Sequence, residues 1–150
     1  METRTIHEKL QGIQSSLKAP KGQTNKFGGY SYRSAEDILT AVKPLLLKYG
    51  CTLVISDDIV GVEGRVYVKA TAVLAEAGSD YSIQVNGFAR ESETRKGMDD
   101  SQITGSASSY ARKYALNGLF AIDDTKDADA TNDHGKKQTK VSTDSDIFAI

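Results

Sequence analysis

Hydrophobic residues recur every three or four positions in two stretches of the first fifty residues, which is the spacing of amphipathic helices. This pattern predicts a first helix over residues 3–18 and a second helix over residues 34–49. Ser34 can accept a hydrogen bond from the first turn of the second helix, and Asp37 stands at the position of its capping-box partner. Pro44 lies inside the second pattern, so we expect a kink where its missing N–H interrupts the helical hydrogen bonds.

The middle of the chain changes to the two-residue alternation of β-strands. Strands are predicted over residues 51–59, 65–77 and 81–90, separated by glycine-containing turns. Because one side of the alternating strands is apolar and the other is largely polar, we expect an antiparallel meander with one buried face. A last helix is predicted over residues 101–116, with Gly118 just past its end.

This order of elements predicts an α+β fold, in which N-terminal helices precede a three-stranded antiparallel β-meander packed with a C-terminal helix. We expect residues 1–123 to form the core domain. Residues 124–150 have little apolar periodicity and are acidic, which favours a flexible, disordered tail. The tail ends in DSDIFAI, an acidic-hydrophobic tip that fits either a docking segment for another protein or a frayed terminus.

Composition and charge narrow the class of protein. The chain has 39% hydrophobic and 26% charged residues, and its N-terminus lacks the apolar core of a signal peptide. No apolar run approaches the roughly 18–20 residues of a membrane helix, and the single cysteine cannot form an internal disulfide. We therefore expect a cytoplasmic protein with no membrane partner.

The net charge of −1 conceals an asymmetry along the chain. Residues 1–122 carry 15 basic against 13 acidic side chains, whereas residues 123–150 carry 4 against 7. A mildly basic body with an acidic tail is compatible with nucleic-acid binding, because a local patch matters more than the total charge.

Residues 19–33, which are predicted to form an irregular loop, interleave cations with aromatic rings. Such a segment can pair cations with phosphates and stack rings on bases, or its rings can simply cover the core. The cations and rings are Lys21, Lys26, Phe27, Tyr30, Tyr32 and Arg33.

The stretch GSASSYARKYALNGLF, residues 105–120, raises the same question on a helix. Helical spacing places Tyr110 and Tyr114 on one stripe and Arg112 and Lys113 on another side. Either the tyrosines pack on the sheet beside solvated cations, or the cations contact phosphate. On the polar face of the sheet, further cations could extend a basic track or form an ordinary solvated surface: Arg65, Lys69 and Arg90.

Catalytic constellations are sparse, so we expect neither an enzyme nor a bound cofactor or metal. No G-x-x-x-x-G-K-[ST] loop occurs, and neither His7 nor His134 lies where a catalytic base or zinc ligand is expected. Asp57 and Asp58 could hold Mg²⁺ in a nuclease, although adjacent residues on a strand point to opposite faces. A metal-dependent nuclease and a protein–protein adaptor remain as alternatives.

Two segments together resemble the ERF (essential recombination function) family of phage single-strand annealing proteins. The first is KFGGYSYRSAEDILTAVKPLLLKYG, and the second, after the meander, is GMDDSQITGSASSYARKYALNGLFAIDDTKDAD. Their strongest pieces are YSYRSAEDI and GSASSYARKYAL, and the resemblance covers roughly residues 3–130.

The resemblance implies an ATP-independent protein that binds single-stranded DNA and anneals complementary strands in phage homologous recombination, in the cytoplasm of a bacterial host. It also implies a ring or filament homo-oligomer, and an α+β core like that of the ring-forming annealing proteins of eukaryotes. The tail tip becomes a candidate docking segment for a nuclease or a single-strand binding protein. With the sheet cations included, the predicted DNA-binding residues are Lys26, Tyr30, Tyr32, Arg33, Arg65, Lys69, Arg90, Arg112 and Lys113.

Overall fold

The structure, a computed structural model, describes residues 4–94 and 96–123. It confirms the predicted α+β fold, with a three-stranded antiparallel sheet packed against the C-terminal helix. The predicted tail, residues 124–150, lies outside the described residues. The elements in order are α1 (Ile6–Ser16), β1 (Gln23–Asn25), β2 (Tyr30–Tyr32), α2 (Ala35–Tyr49), β3 (Cys51–Val62), β4 (Arg65–Glu76), β5 (Ser82–Arg90) and α3 (Asp100–Phe120).

The three helices among the described residues all begin at capping boxes, which satisfy backbone N–H groups that have no partner inside the helix. The predicted box of α2 is confirmed: the Asp37 N–H donates to Ser34 Oγ at 3.1 Å, and the Ser34 N–H donates to Asp37 Oδ2 at 2.9 Å. Pro44 lies inside α2, which continues to Tyr49.

Two local predictions were wrong. Residues 19–33 are not an irregular loop throughout, because β1 and β2 pair as an antiparallel hairpin with Asn25 opposite Tyr30. Three-residue strands are too short to show an alternation in the sequence. The last helix does not end before Gly118 but continues to Phe120, because burial of the apolar side chains in its last turns outweighs a glycine penalty of about 1 kcal/mol.

The large sheet has the order β3-β4-β5, and its register aligns Leu53, Leu74 and Ile83 across the three strands. Strand β3 is longer than predicted and pairs with β4 up to a two-residue turn. Glu63 and Gly64 both have positive φ in that turn, of 49° and 79°, which is the combination of a type I′ hairpin.

In the part of the chain that the structure describes, helices cover one face of the large sheet, and the opposite face is open. The confirmed alternation of β4 places its apolar residues towards the helices, where they join α1, α2 and α3 in one core. The largest fully buried side chains of this core are Ile13, Ile38, Val42, Val68, Leu74, Leu116, Leu119 and Phe120.

Helix α3 crosses β5 at very close range. A Cβ atom built on Gly87 would lie 2.4 Å from the Ala111 carbonyl oxygen and 2.4 Å from the Ala115 nitrogen. Small residues on both elements therefore allow the helix backbone to lie directly on the strand. This contact fixes which side chains of α3 face the sheet and which face solvent.

Candidate nucleic-acid interface

A groove runs along α3 between the β1–β2 hairpin and the end of β5. One cleft of about 300 Å³ is lined by Tyr32 of the hairpin and by Tyr110 and Lys113 of α3. A second cleft of about 380 Å³ is lined by Arg90 at the end of β5 and by Tyr110 and Tyr114. Because Tyr110 lines both clefts, we treat them as one surface, called the tyrosine groove and defined by Tyr32, Arg90, Tyr110, Lys113 and Tyr114.

The two tyrosines of α3 do not pack under the sheet. Tyr110 is 51% exposed and Tyr114 is 46% exposed, and their ring centroids lie 6.2 Å apart with an interplanar angle of 34°. The close approach at Gly87 leaves room only for small side chains between helix and sheet, such as Ala111 and Ala115. The rings are therefore displaced to the side of α3, where they present apolar faces to the groove.

Lys113 lies in the groove with its stem buried, and the residue is only 7% exposed. Its Nζ stands 5.8 Å from the centroid of the Tyr32 ring, within the range of a cation–π interaction. A lysine can bury its methylene stem and keep the ammonium at a polar boundary, so this side chain places a cation inside the cleft. The alternative in which both cations of α3 are solvated is wrong for Lys113.

The hairpin brings two more of the predicted residues beside the groove. The Tyr30 and Tyr32 rings have centroids 6.1 Å apart, and Asn25 Nδ2 donates to the Tyr30 hydroxyl at 3.0 Å. Lys26 is exposed in the hairpin turn. Residues 19–33 contain three cations and no acidic residue. Glu36 of α2 lines the same cleft as Tyr32 and Lys113, so the groove carries one carboxylate beside its cations.

Arg33 and Arg112 lie outside the tyrosine groove. Arg33 Nε donates to the Ala19 carbonyl oxygen, and Arg33 lines a separate cleft of about 470 Å³ together with Lys18 and Asp123. Arg112 points towards β3, where its Nε lies 3.1 Å from Asp57 Oδ1. Consecutive residues on a helix point about 100° apart, which separates Arg112 from its neighbour in the groove.

The remaining predicted cations lie on the large sheet. Lys69 is on the open face, with Asp58 and Phe88 as its cross-strand neighbours, and Arg65 is exposed beside the β3–β4 turn. Of these three residues only Arg90 lines the groove, where β5 ends. The structure thus brings together Tyr32, Arg90 and Lys113, places Lys26 and Tyr30 on the adjoining hairpin, and distributes the other four elsewhere.

Tyr110 and Tyr114 are groove residues that the predicted set omits. Their 4-3-4 spacing with Ile103 and Ala107 assigned them to one stripe, which suited a buried face as well as an exposed one. The row of alanines at positions 107, 111 and 115 was a stronger signal of which face of α3 packs on the sheet. Small side chains on a helix, opposite a glycine on the strand, allow the two backbones to lie close together.

The described chain does not support a metal site. Within residues 4–94 and 96–123, no group of three or more His, Cys, Asp or Glu side chains is placed to hold a metal ion. Asp57 instead accepts hydrogen bonds from Ser108 Oγ at 2.6 Å and from Arg112, and Asp58 lies on the opposite face of β3. No helix among the described elements is long and apolar enough to cross a membrane.

Comparison with known proteins identifies the family. The model of the ERF superfamily matches residues 6–146. The essential recombination function protein of Salmonella phage P22 is 53% identical over 136 residues, which cover 91% of this chain and 64% of that protein. No solved structure matches the chain. On the strength of the family match and this relative, the chain belongs to the ERF superfamily.

Proposed function

We propose that this chain binds single-stranded DNA and anneals complementary strands without ATP, as a homo-oligomer acting in phage homologous recombination in the host cytoplasm. Membership of the ERF superfamily and the name of the phage P22 relative support a role in recombination. The single observation that carries the DNA-binding part is the tyrosine groove, which combines exposed rings with Lys113 and has Arg90 at its edge.

The groove has the chemistry that an unpaired strand requires. Exposed aromatic faces stack on bases of any sequence and contribute about 1–3 kcal/mol per base, whereas cations neutralise phosphates. A duplex hides its base faces inside the stack, so rings in a groove favour single strands. Annealing further requires that the phosphate repulsion between two strands be screened while the base edges remain free to pair. A groove that contacts the base faces through its rings and the phosphates through its cations leaves the base edges free.

Oligomerisation follows from the weak charge of one protomer. Residues 1–122 have a net charge of only +2, so a single copy should bind a strand weakly. When several copies hold one strand, each additional contact is intramolecular and the overall affinity rises steeply. We therefore propose a ring or filament in which neighbouring grooves share a strand.

The proposed contact set keeps every predicted residue, with the groove and hairpin members as the primary contacts. Tyr110 and Tyr114 join them on structural grounds. The tip of the tail remains a proposed docking segment for a nuclease or a single-strand binding protein.

The test is an annealing assay with two complementary oligonucleotides and no ATP, run together with single-strand binding at several salt concentrations. The wild-type protein should accelerate annealing, and replacing both Tyr110 and Tyr114 with alanine should weaken strand binding and slow annealing. Tyr81→Ala is the matched control, because Tyr81 is an exposed tyrosine at the β4–β5 turn, at the far end of β5 from Arg90. Annealing by a stable monomer would contradict the oligomer, and wild-type behaviour of the double variant would contradict the groove.

A further inference from the structure

The turn of the β1–β2 hairpin presents an aromatic side chain that the fold does not use. Phe27 has a relative exposed area of 102%, so its ring is in open solvent. Burying a phenylalanine stabilises a protein by about 1.5–3 kcal/mol. The folded domain does not gain this stabilisation from Phe27, so the ring remains available to a binding partner.

The turn that carries Phe27 is held in one conformation by its own hydrogen bonds. Asn25 Oδ1 accepts from the Phe27 N–H at 2.8 Å and from the Gly28 N–H at 2.9 Å, and the Gly29 N–H donates to the Asn25 carbonyl at 2.8 Å. Gly29 has a φ of 67°, which a residue without Cβ adopts at little cost. A partner that contacts the ring therefore has little backbone entropy to remove.

The charge around Phe27 indicates what that partner is. The neighbouring residue, Lys26, is exposed, and residues 19–33 contain no acidic residue. An exposed ring beside a cation fits a ligand that combines flat apolar faces with negative charge. An unpaired nucleic-acid strand has both features in every nucleotide.

We propose that Phe27 stacks on an unpaired base of the bound strand while Lys26 contacts an adjacent phosphate, which makes the hairpin turn a second base-binding site beside the tyrosine groove. The inference rests on the proposed single-strand binding and deepens it. A duplex exposes base faces only at its ends, so this site also discriminates single-stranded from duplex DNA.

The chain contains no tryptophan, so Phe27→Trp introduces a unique fluorophore at the proposed contact. Its fluorescence should be quenched when an oligothymidylate binds, and far less by an abasic oligonucleotide of equal length or by a blunt duplex. Leu47→Trp is the matched control, because Leu47 is 85% exposed on α2, and its signal should change little. Wild-type binding measured in parallel shows that the strand is bound.

Phe27→Ala gives an independent measurement, because removal of a fully exposed side chain should leave the melting temperature unchanged. We expect the affinity for a short single strand to fall about 5- to 150-fold, the range for loss of one stacked base, while Phe27→Tyr binds nearly as wild type.

The outcomes distinguish failure of the proposed function from failure of this inference alone. If the wild-type protein binds no single strand, the proposed function fails and this inference with it. If the wild-type protein binds, but the indole of Phe27→Trp is not quenched and Phe27→Ala binds normally, only this inference fails. Equal quenching by abasic or duplex DNA would overturn base stacking. A change in the emission of Phe27→Trp with protein concentration alone would assign the ring to contact between copies and would also overturn it.

Discussion

Arg112 on α3 and Asp57 on β3 form an ion pair, with Arg112 Nε 3.1 Å from Asp57 Oδ1, that joins the last helix to an outer strand of the sheet. Ser108 Oγ donates to the other carboxylate oxygen at 2.6 Å. Because both charged side chains are partly exposed, the pair contributes only about 0–1 kcal/mol to stability. Under the proposed function, the Asp57 carboxylate competes with a DNA phosphate for the Arg112 guanidinium.

The first prediction concerns this competition. Asp57→Asn should increase the affinity for single-stranded DNA, because Arg112 is released to contact a phosphate. One additional contact should steepen the slope of log K against log salt by about 0.7. The measurement is fluorescence anisotropy of a labelled oligonucleotide at several salt concentrations.

Asp58→Asn is the control for net charge, because Asp58 lies on the other face of the same strand, opposite Lys69. If Asp57→Asn leaves the affinity and the salt slope unchanged, and Arg112→Gln also binds as wild type, then Arg112 does not contact the DNA.

The second prediction concerns the contact between β5 and α3. Gly87→Ala should destabilise the protein by at least about 1–3 kcal/mol, because the new methyl group meets helix backbone that cannot move without shifting α3. Gly105→Ala should instead be neutral or stabilising by up to about 1 kcal/mol, since that helical position faces open space. Urea unfolding followed by circular dichroism compares the two. Equal stability of the two variants would show that the close approach does not constrain the fold.

The third prediction concerns pH. The hydrogen bond from the Ser34 backbone N–H lowers the pKa of Asp37 below its usual value, and burial opposes it in part. A depressed carboxyl pKa in the folded state stabilises the protein above the unfolded pKa of about 3.9, and this contribution is lost as the pH falls through the lower folded pKa.

The difference in free energy of unfolding between wild type and Asp37→Asn should therefore be largest near neutral pH, at about 1 kcal/mol for a helix cap, and should shrink on acidification below about pH 4. Urea titrations at several pH values measure it. A difference in free energy of unfolding that stays constant down to about pH 2 would contradict a stabilising charge on Asp37. Glu36→Gln is the control, because it removes an exposed carboxylate from the same first turn.

The fourth prediction concerns Lys113. Its stem is buried, so Lys113→Ala would confound binding with packing, whereas Lys113→Met retains similar volume and removes the charge. We expect Lys113→Met to remain folded, with a loss of single-strand affinity and a salt slope about 0.7 shallower. Lys43→Met serves as control, because Lys43 is exposed about two helical turns along α2 from Glu36, the α2 residue that lines the cleft. Equal binding by both variants would exclude a phosphate contact at Lys113.

The predicted helices and the β-meander could be read from the sequence because their causes are local. The apolar period of α1 and α2, the Ser34–Asp37 box and the alternation along β4 all depend on neighbours within a few residues. The β1–β2 hairpin escaped this reasoning, because three residues per strand carry no measurable period.

The groove could not be predicted in the same way, since it depends on elements far apart in the chain. Sequence patterning placed rings and cations on α3 and in the segment before α2. Only the tertiary structure decided that Lys113 faces Tyr32 while Arg112 faces Asp57. The physical reason is the backbone contact at Gly87, which sets the rotation of α3 on the sheet and thereby assigns each of its side chains to the core, the groove or the ion pair.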